Sequence, residues 1–165
     1  MELKKPLEKE LKKEFMAKAI SLADNNVSHM EGGPFGAVIV KDGEIIGTGK
    51  NQVTSHNDPT AHAEIQAIRD AAQKLNSYDL AGCEIYSSCE PCPMCLGAIY
   101  WAHLDKLYYA ATKDDAAAAD FDDSFIYKEF SLPKEERSIP SVQMMREDAV
   151  KVFDNWIHSE NKIPY

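Results

Sequence analysis

The chain has 165 residues, the size of one ordinary domain, and its 44% hydrophobic and 27% charged residues exclude the disordered and membrane-embedded classes. With 27 acidic against 18 basic residues its formal net charge is −9, and a field of that sign argues against free nucleic acid as a partner. No apolar run reaches the roughly 18 residues that span a bilayer, and the start of the chain lacks the apolar segment of an export signal, so the expected compartment is the cytoplasm.

Residues 1–7 read as a tail. Leu7, Leu11, Phe15, Ala19 and Leu22 or Ala23 recur at three- and four-residue intervals, which predicts an amphipathic helix over 7–25 with one buried face. Gly32-Gly33-Pro34-Phe35-Gly36 breaks that pattern and leads into a β-branched strand over 37–40. Asp42-Gly43 suits a two-residue hairpin turn, and a return strand over 44–51 follows. Its glycines, 47 and 49, weaken a strand and mark close approach by another group. A turn-rich stretch over 54–59 precedes a helix over 61–75, with Asp58 or Thr60 as a possible cap and Pro59 in its first turn. A strand over 83–88, a helix from about 93 to 102 and a strand over 106–111 complete the regular part. Short helical turns over 114–119 and 124–130 are expected next, then an irregular connection through Pro133 and Pro140. A last amphipathic helix over 146–161 places Ala149, Val150, Phe153, Trp156 and Ile157 on one stripe. Helices alternating with strands in this order predict an α/β fold: a three-layer α/β/α sandwich with a central mixed sheet of about five strands and helices on both faces.

Four cysteines occur, at 83, 89, 92 and 95. Three of them fall within seven residues, which favours metal ligation over disulfides in a chain without an export signal. Cys83, inside a predicted strand, reads as a small core residue. Cys92 and Cys95, three apart where a helix opens, point the same way, and His62 from the preceding helix supplies a third corner of a zinc tetrahedron. The fourth corner is then open to water, whose pKa on zinc falls to around 7. Glu64, two residues from His62, is placed to take that water's proton and pass it to a substrate. A closed site that adds Cys89 as fourth ligand would only hold the fold together. The adjacent carboxylate weighs against it, and so does Cys89's place at a strand end across Pro91. The expectation is that Cys89→Ser keeps both zinc and activity.

His62-Ala63-Glu64 paired with Pro91-Cys92-Pro93-Met94-Cys95 is the signature of zinc-dependent nucleobase deaminases. The wider pattern comprises Gly32-Gly33-Pro34-Phe35-Gly36-Ala37-Val38, Asp58-Pro59-Thr60-Ala61 before His62, Ser88-Cys89-Glu90 before Pro91, Phe121-Asp122-Asp123 with Ile126-Tyr127, and the closing Tyr165. Together these resemble the small, cytidine-deaminase-like guanine deaminases of bacteria over essentially the whole chain, with 41–51 matching in outline. The resemblance implies one zinc per chain on His62, Cys92 and Cys95, and Glu64 as the catalytic proton shuttle. It implies that Asn51, Phe35, the backbone of Ala63, Asp123 and Tyr165 bind the base. Asp123, which can accept from guanine N1–H and the exocyclic amine together, shares in proton transfer. The implied reaction is hydrolytic deamination of guanine to xanthine and ammonia by a zinc-bound hydroxide, with guanosine, cytosine or transfer-RNA adenosine as alternative substrates of the same machinery. The resemblance also implies a single domain over 1–165 in a homodimer whose C-terminal segment, 146–165, crosses to a partner subunit. From the residues alone, Asn51 equally closes a turn, Phe35 is core and Asp123 is one acid among 27.

Overall fold

A computed structural model of the chain describes residues 4–165. Two compact units are distinguished, one ending at Asp123 and one running from Ser124 to Tyr165.

The first unit contains α1 (Lys4–Ser28), β1 (Gly36–Lys41), β2 (Glu44–Lys50), the single turn α2 (Val53–His56), α3 (Ala63–Leu75), β3 (Cys83–Cys89), α4 (Pro93–Trp101), β4 (Lys106–Ala111) and α5 (Lys113–Ala118). Of the tail expected at 1–7, the first three residues lie outside the described residues, and from Lys4 the chain is already helical. The strands make one mixed sheet in the order β2-β1-β3-β4, with β1 antiparallel to both β2 and β3 and β4 parallel to β3. Asp42 and Gly43 have φ of 50° and 81°, the left-handed pair that a tight hairpin turn requires.

Alternation along the strands divides the core into two layers. Ala37, Ile39 and Ile85 face Ala63, Ala67 and Ala71 of α3 and Ile99 of α4. Val38, Val40 and Tyr86 face Phe15 of α1, whose ring meets Tyr86 edge-on at 5.4 Å. Helices therefore cover both faces. On the α3 side the contact with β2 is backbone against backbone. A Cβ at Gly49 would lie 2.0 Å from the Ala63 carbonyl oxygen, and one at Gly47 2.6 Å from that of Ala67. These two glycines admit the helix that carries the site, as their place in the strand pattern suggested.

The sheet has four strands, not about five. Directly after β4, Thr112 and Asp115 form a reciprocal capping box that turns the chain into α5 and away from the sheet edge. No later strand occurs among the described residues.

The second unit holds α6 (Ser124–Ser131), a 3-10 turn (Lys134–Glu136) and α7 (Arg146–His158). The Glu129 carboxylate accepts from the Ser138 backbone N–H at 2.8 Å and hydroxyl at 2.9 Å, tying the irregular connection to α6. The last helix stops at His158, earlier than the 161 expected, and much of its apolar stripe is exposed: Phe153 67%, Trp156 46%, Ile157 58%. No helix among the described residues is long and apolar enough to cross a membrane.

Candidate metal centre and adjoining pocket

Two helix starts build the centre. His62 is the residue before α3, with φ −70° and ψ 158°, and Cys92 stands in the same relation to α4, with φ −65° and ψ 168°. Neither side chain caps its own helix, so both are left for other work at the positive ends of two helix dipoles. Pro93 fits the first position of α4, where a missing N–H costs nothing. The start of α3 falls two residues after the expected one because Asp58 caps a local turn instead, accepting from the Thr60 N–H at 2.8 Å and hydroxyl at 2.6 Å. That turn delivers His62 in extended conformation.

His62 Nδ1 lies 3.5 Å from Cys92 Sγ and 3.5 Å from Cys95 Sγ. Zinc bound at about 2.3 Å from sulfur and about 2.0 Å from nitrogen spaces tetrahedral ligands about 3.5 to 3.8 Å apart. The donor set and its spacing fit that ion. Among the described residues these three are the group able to hold a metal, all donor atoms lying within 4.8 Å of one another. Cys95 is fully buried, while Cys92 and His62 are half-buried. The Cys95 thiol hydrogen-bonds Cys92 and, with His62 assisting against burial, holds the Cys92 group down at about 4. The same bond, reinforced by burial, pushes Cys95 well above the ordinary thiol range. The pair shares one proton, which a dication would displace. Contact with Cys92 raises His62.

Glu64 is buried at 6% exposure and accepts a hydrogen bond from Ser87 Oγ at 3.2 Å. Burial first of all raises its pKa; the neighbouring Cys95 thiol partly opposes this. The carboxylate therefore sits against the metal donors, as the two-residue spacing from His62 requires. Cys89 is not in the donor group. It ends β3, buried, with its thiol donating to the Thr112 carbonyl at 3.5 Å, and burial raises it to about 11.

The expected base-binding residues of the first unit lie near one another in part. The Asn51 N–H donates to the Phe35 carbonyl at 3.1 Å, and the Gln52 N–H to the Ala61 carbonyl at 2.9 Å, which ties the end of β2 to the segment before His62. Phe35 is half-buried, with Phe121 edge-on at 4.9 Å, beside an apolar cavity of about 130 Å³ also lined by Pro34, Ser88, Cys89 and Ala111. Larger clefts of about 290 and 420 Å³ contain none of the metal donors. Asp123 is half-buried, and its pKa is raised by burial and then by the nearby Cys92 charge. Ala63 is fully buried. Tyr165 closes the second unit at 77% exposure. Ser87 was not singled out from the sequence. It is 2% exposed, but β3 also carries Glu84 and Ser88, so its sequence does not mark it out, and its partner comes from another element.

A three-layer α/β unit that gathers one imidazole, two thiols and a buried carboxylate at two helix starts is that of a zinc-dependent hydrolase. The chain belongs to the cytidine and deoxycytidylate deaminase zinc-binding family, whose model matches residues 9–111. It is 55% identical over 151 residues to the guanine deaminase of Bacillus subtilis, covering 92% of this chain and 97% of that protein. The X-ray structure of that enzyme superposes with a TM-score of 0.90 at 54% identity, over 93% of this chain and 98% of that one. A tRNA-specific adenosine deaminase of Aquifex aeolicus is 47% identical over 78 residues, 47% of this chain and 52% of that protein.

Proposed function

We propose that this protein is a guanine deaminase, converting guanine and water to xanthine and ammonia. The observation that favours guanine over transfer-RNA adenosine is the extent of likeness. Similarity to the Bacillus subtilis enzyme covers 92% of the chain and so runs past residue 111, where the shared zinc-binding region ends. The chain's net charge of −9 points the same way, because transfer RNA is a polyanion.

His62 Nδ1, Cys92 Sγ and Cys95 Sγ hold the zinc. When bound, zinc supplies a Lewis acid that makes water nucleophilic at neutral pH. Glu64 takes the proton from the attacking water and delivers it to a ring nitrogen of guanine as C2 is attacked. The C2–N bond then breaks as Glu64 or Asp123 carries the proton remaining on the attacking oxygen to the departing amine, which leaves as ammonia. Asp123 accepts from N1–H and the exocyclic amine, a donor pair that adenine lacks, so the wrong base leaves a polar group unpaired. Phe35 stacks on the base, and Asn51 and the Ala63 backbone fix its edge. Tyr165 completes the pocket from a partner subunit in a homodimer with exchanged C-terminal segments. The exposed stripe of Phe153, Trp156 and Ile157 supports that exchange, since a partner would cover it. We read residues 1–165 as one functional domain of the cytoplasm.

Ammonia release is to be measured from guanine, guanosine, cytosine and adenine, before and after zinc removal. Release from guanine alone, abolished by chelation and restored by zinc, is expected; faster release from guanosine or cytosine overturns the choice of guanine.

A further inference from the structure

We propose that Asn26 is a positioning residue for the base, clamping the two backbone segments that present Phe35 and Asn51; this role rests on the guanine deaminase reading above.

Asn26 continues the buried stripe of α1, three residues beyond Ala23 and seven beyond Ala19, and is 1% exposed. A polar side chain at that point of an apolar stripe needs partners. Its Nδ2 donates both hydrogens, one to the Gly33 carbonyl and one to the Asn51 carbonyl, each at 2.8 Å. Its Oδ1 is buried without a hydrogen-bond partner among the described residues. With its oxygen unpaired, what asparagine supplies here is the two bonds from its nitrogen.

Those bonds join segments 18 residues apart. One runs through Gly33 into Phe35, and the other is the end of β2 at Asn51. They meet without slack, because a Cβ at Gly32 would lie 2.3 Å from the Asn51 carbonyl oxygen and 2.9 Å from Asn26 Nδ2. The clamp also sets which end of the Asn51 amide faces outward. Asn51 Oδ1 accepts from the Gly33 N–H at 3.4 Å and the Val53 N–H at 3.3 Å, both long bonds, the first of which holds only while Gly33 stays in place. With its oxygen so occupied, Asn51 offers Nδ2, which has no protein partner among the described residues, to an acceptor atom of the base. Release of Gly33 loosens that orientation and shifts Phe35 together with it. The metal donors and Glu64 stand at the starts of α3 and α4, across the sheet from α1, and take no direct part in these bonds.

The test uses zinc-loaded Asn26→Leu and Asn26→Ser, with Phe15→Leu as a control for lost stability on the same face of α1. The readouts are kcat and KM for guanine, the Kd for 8-azaguanine by calorimetry, bound zinc and Tm. Misplacement by a fraction of an ångström is expected to raise KM and Kd about tenfold or more in Asn26→Leu, and less in Asn26→Ser, while kcat stays within roughly threefold and zinc remains at one per chain. Phe15→Leu, with a comparable fall in Tm, is expected to keep KM within about twofold. Folded, zinc-bound Asn26 variants with wild-type KM and Kd overturn the proposal. If Asn26→Leu does not fold, Asn26→Ser decides by the same criterion, and failure of both to fold assigns Asn26 to folding alone and also overturns it. A wild-type protein that neither binds 8-azaguanine nor releases ammonia from guanine overturns the underlying reading instead.

Discussion

Glu64 carries a carboxylate into a place where water barely reaches it, with one hydroxyl, from Ser87, to solvate it. Its raised pKa means that the folded metal-free protein binds a proton at this group more tightly than the unfolded chain does. That contribution to stability is complete below the ordinary carboxylate value and is lost as pH rises through the raised folded value. Metal-free wild type should therefore lose Tm relative to metal-free Glu64→Gln as pH is taken from about 4 to neutrality, the two converging at the acid end. A Tm difference that does not change with pH would show that the carboxylate is not held in a desolvating environment. With zinc restored, Glu64→Gln should keep the metal and lose turnover. The donors and Glu64 were legible in the sequence because their residue types, in His62-Ala63-Glu64 paired with Pro91-Cys92-Pro93-Met94-Cys95, make up a zinc-site signature. Ser87 was not, since its partner lies 23 residues away on a different element. Asn26 leaves a fainter trace, as a polar residue on an apolar stripe.

At the scale of elements, the close approach of α3 to β2 places His62. Helices usually rest on sheets through side chains, but here the Ala63 carbonyl fills the space where a Cβ of residue 49 would stand, 2.0 Å away. Backbone cannot step aside as a flexible side chain does, so Gly49→Ala should cost about 3 kcal/mol or more, the upper end of what overpacking costs. Because Ala63 directly follows His62, the variant should also bind zinc more weakly, measured by chelator competition. Unaltered metal affinity at wild-type Tm would mean that the helix can shift without disturbing its first residue. Apart from the single turn α2, in a stretch expected to be turn-rich, the order of helices and strands in the first unit was readable, because alternation and helical periodicity survive any detail of packing. Boundaries and strand number were less so. Asp58 takes Thr60 as partner rather than a helix end, and the fifth strand expected of the sheet has no counterpart among the described residues, whereas the helical turn expected over 114–119 is present as α5.

The whole molecule raises the question of where residues 124–165 act. Charge and apolar stripe gave α7 its helix, but no pattern within one chain says which copy of the chain its apolar face covers. Mixing answers this. A chain lacking residues 146–165 and a Glu64→Ala chain are each expected to be inactive. If segments are exchanged, a refolded equimolar mixture should recover about a quarter of wild-type turnover, because half the dimers then contain one intact carboxylate under one intact tail. No recovery would place each tail on its own chain. The sheet also divides labour between its two sides. The metal donors and Glu64 stand at the starts of α3 and α4, whereas the amide that joins the Gly33 and Asn51 segments comes from α1 on the opposite face. Amide hydrogen exchange should register that partition. Removal of zinc is expected to speed exchange at the first turns of α3 and α4 while the C-terminal half of α1 and the strand β1 keep their protection. A metal-free protein of that kind would still offer a shaped seat for the base, able to hold a purine that it can no longer convert.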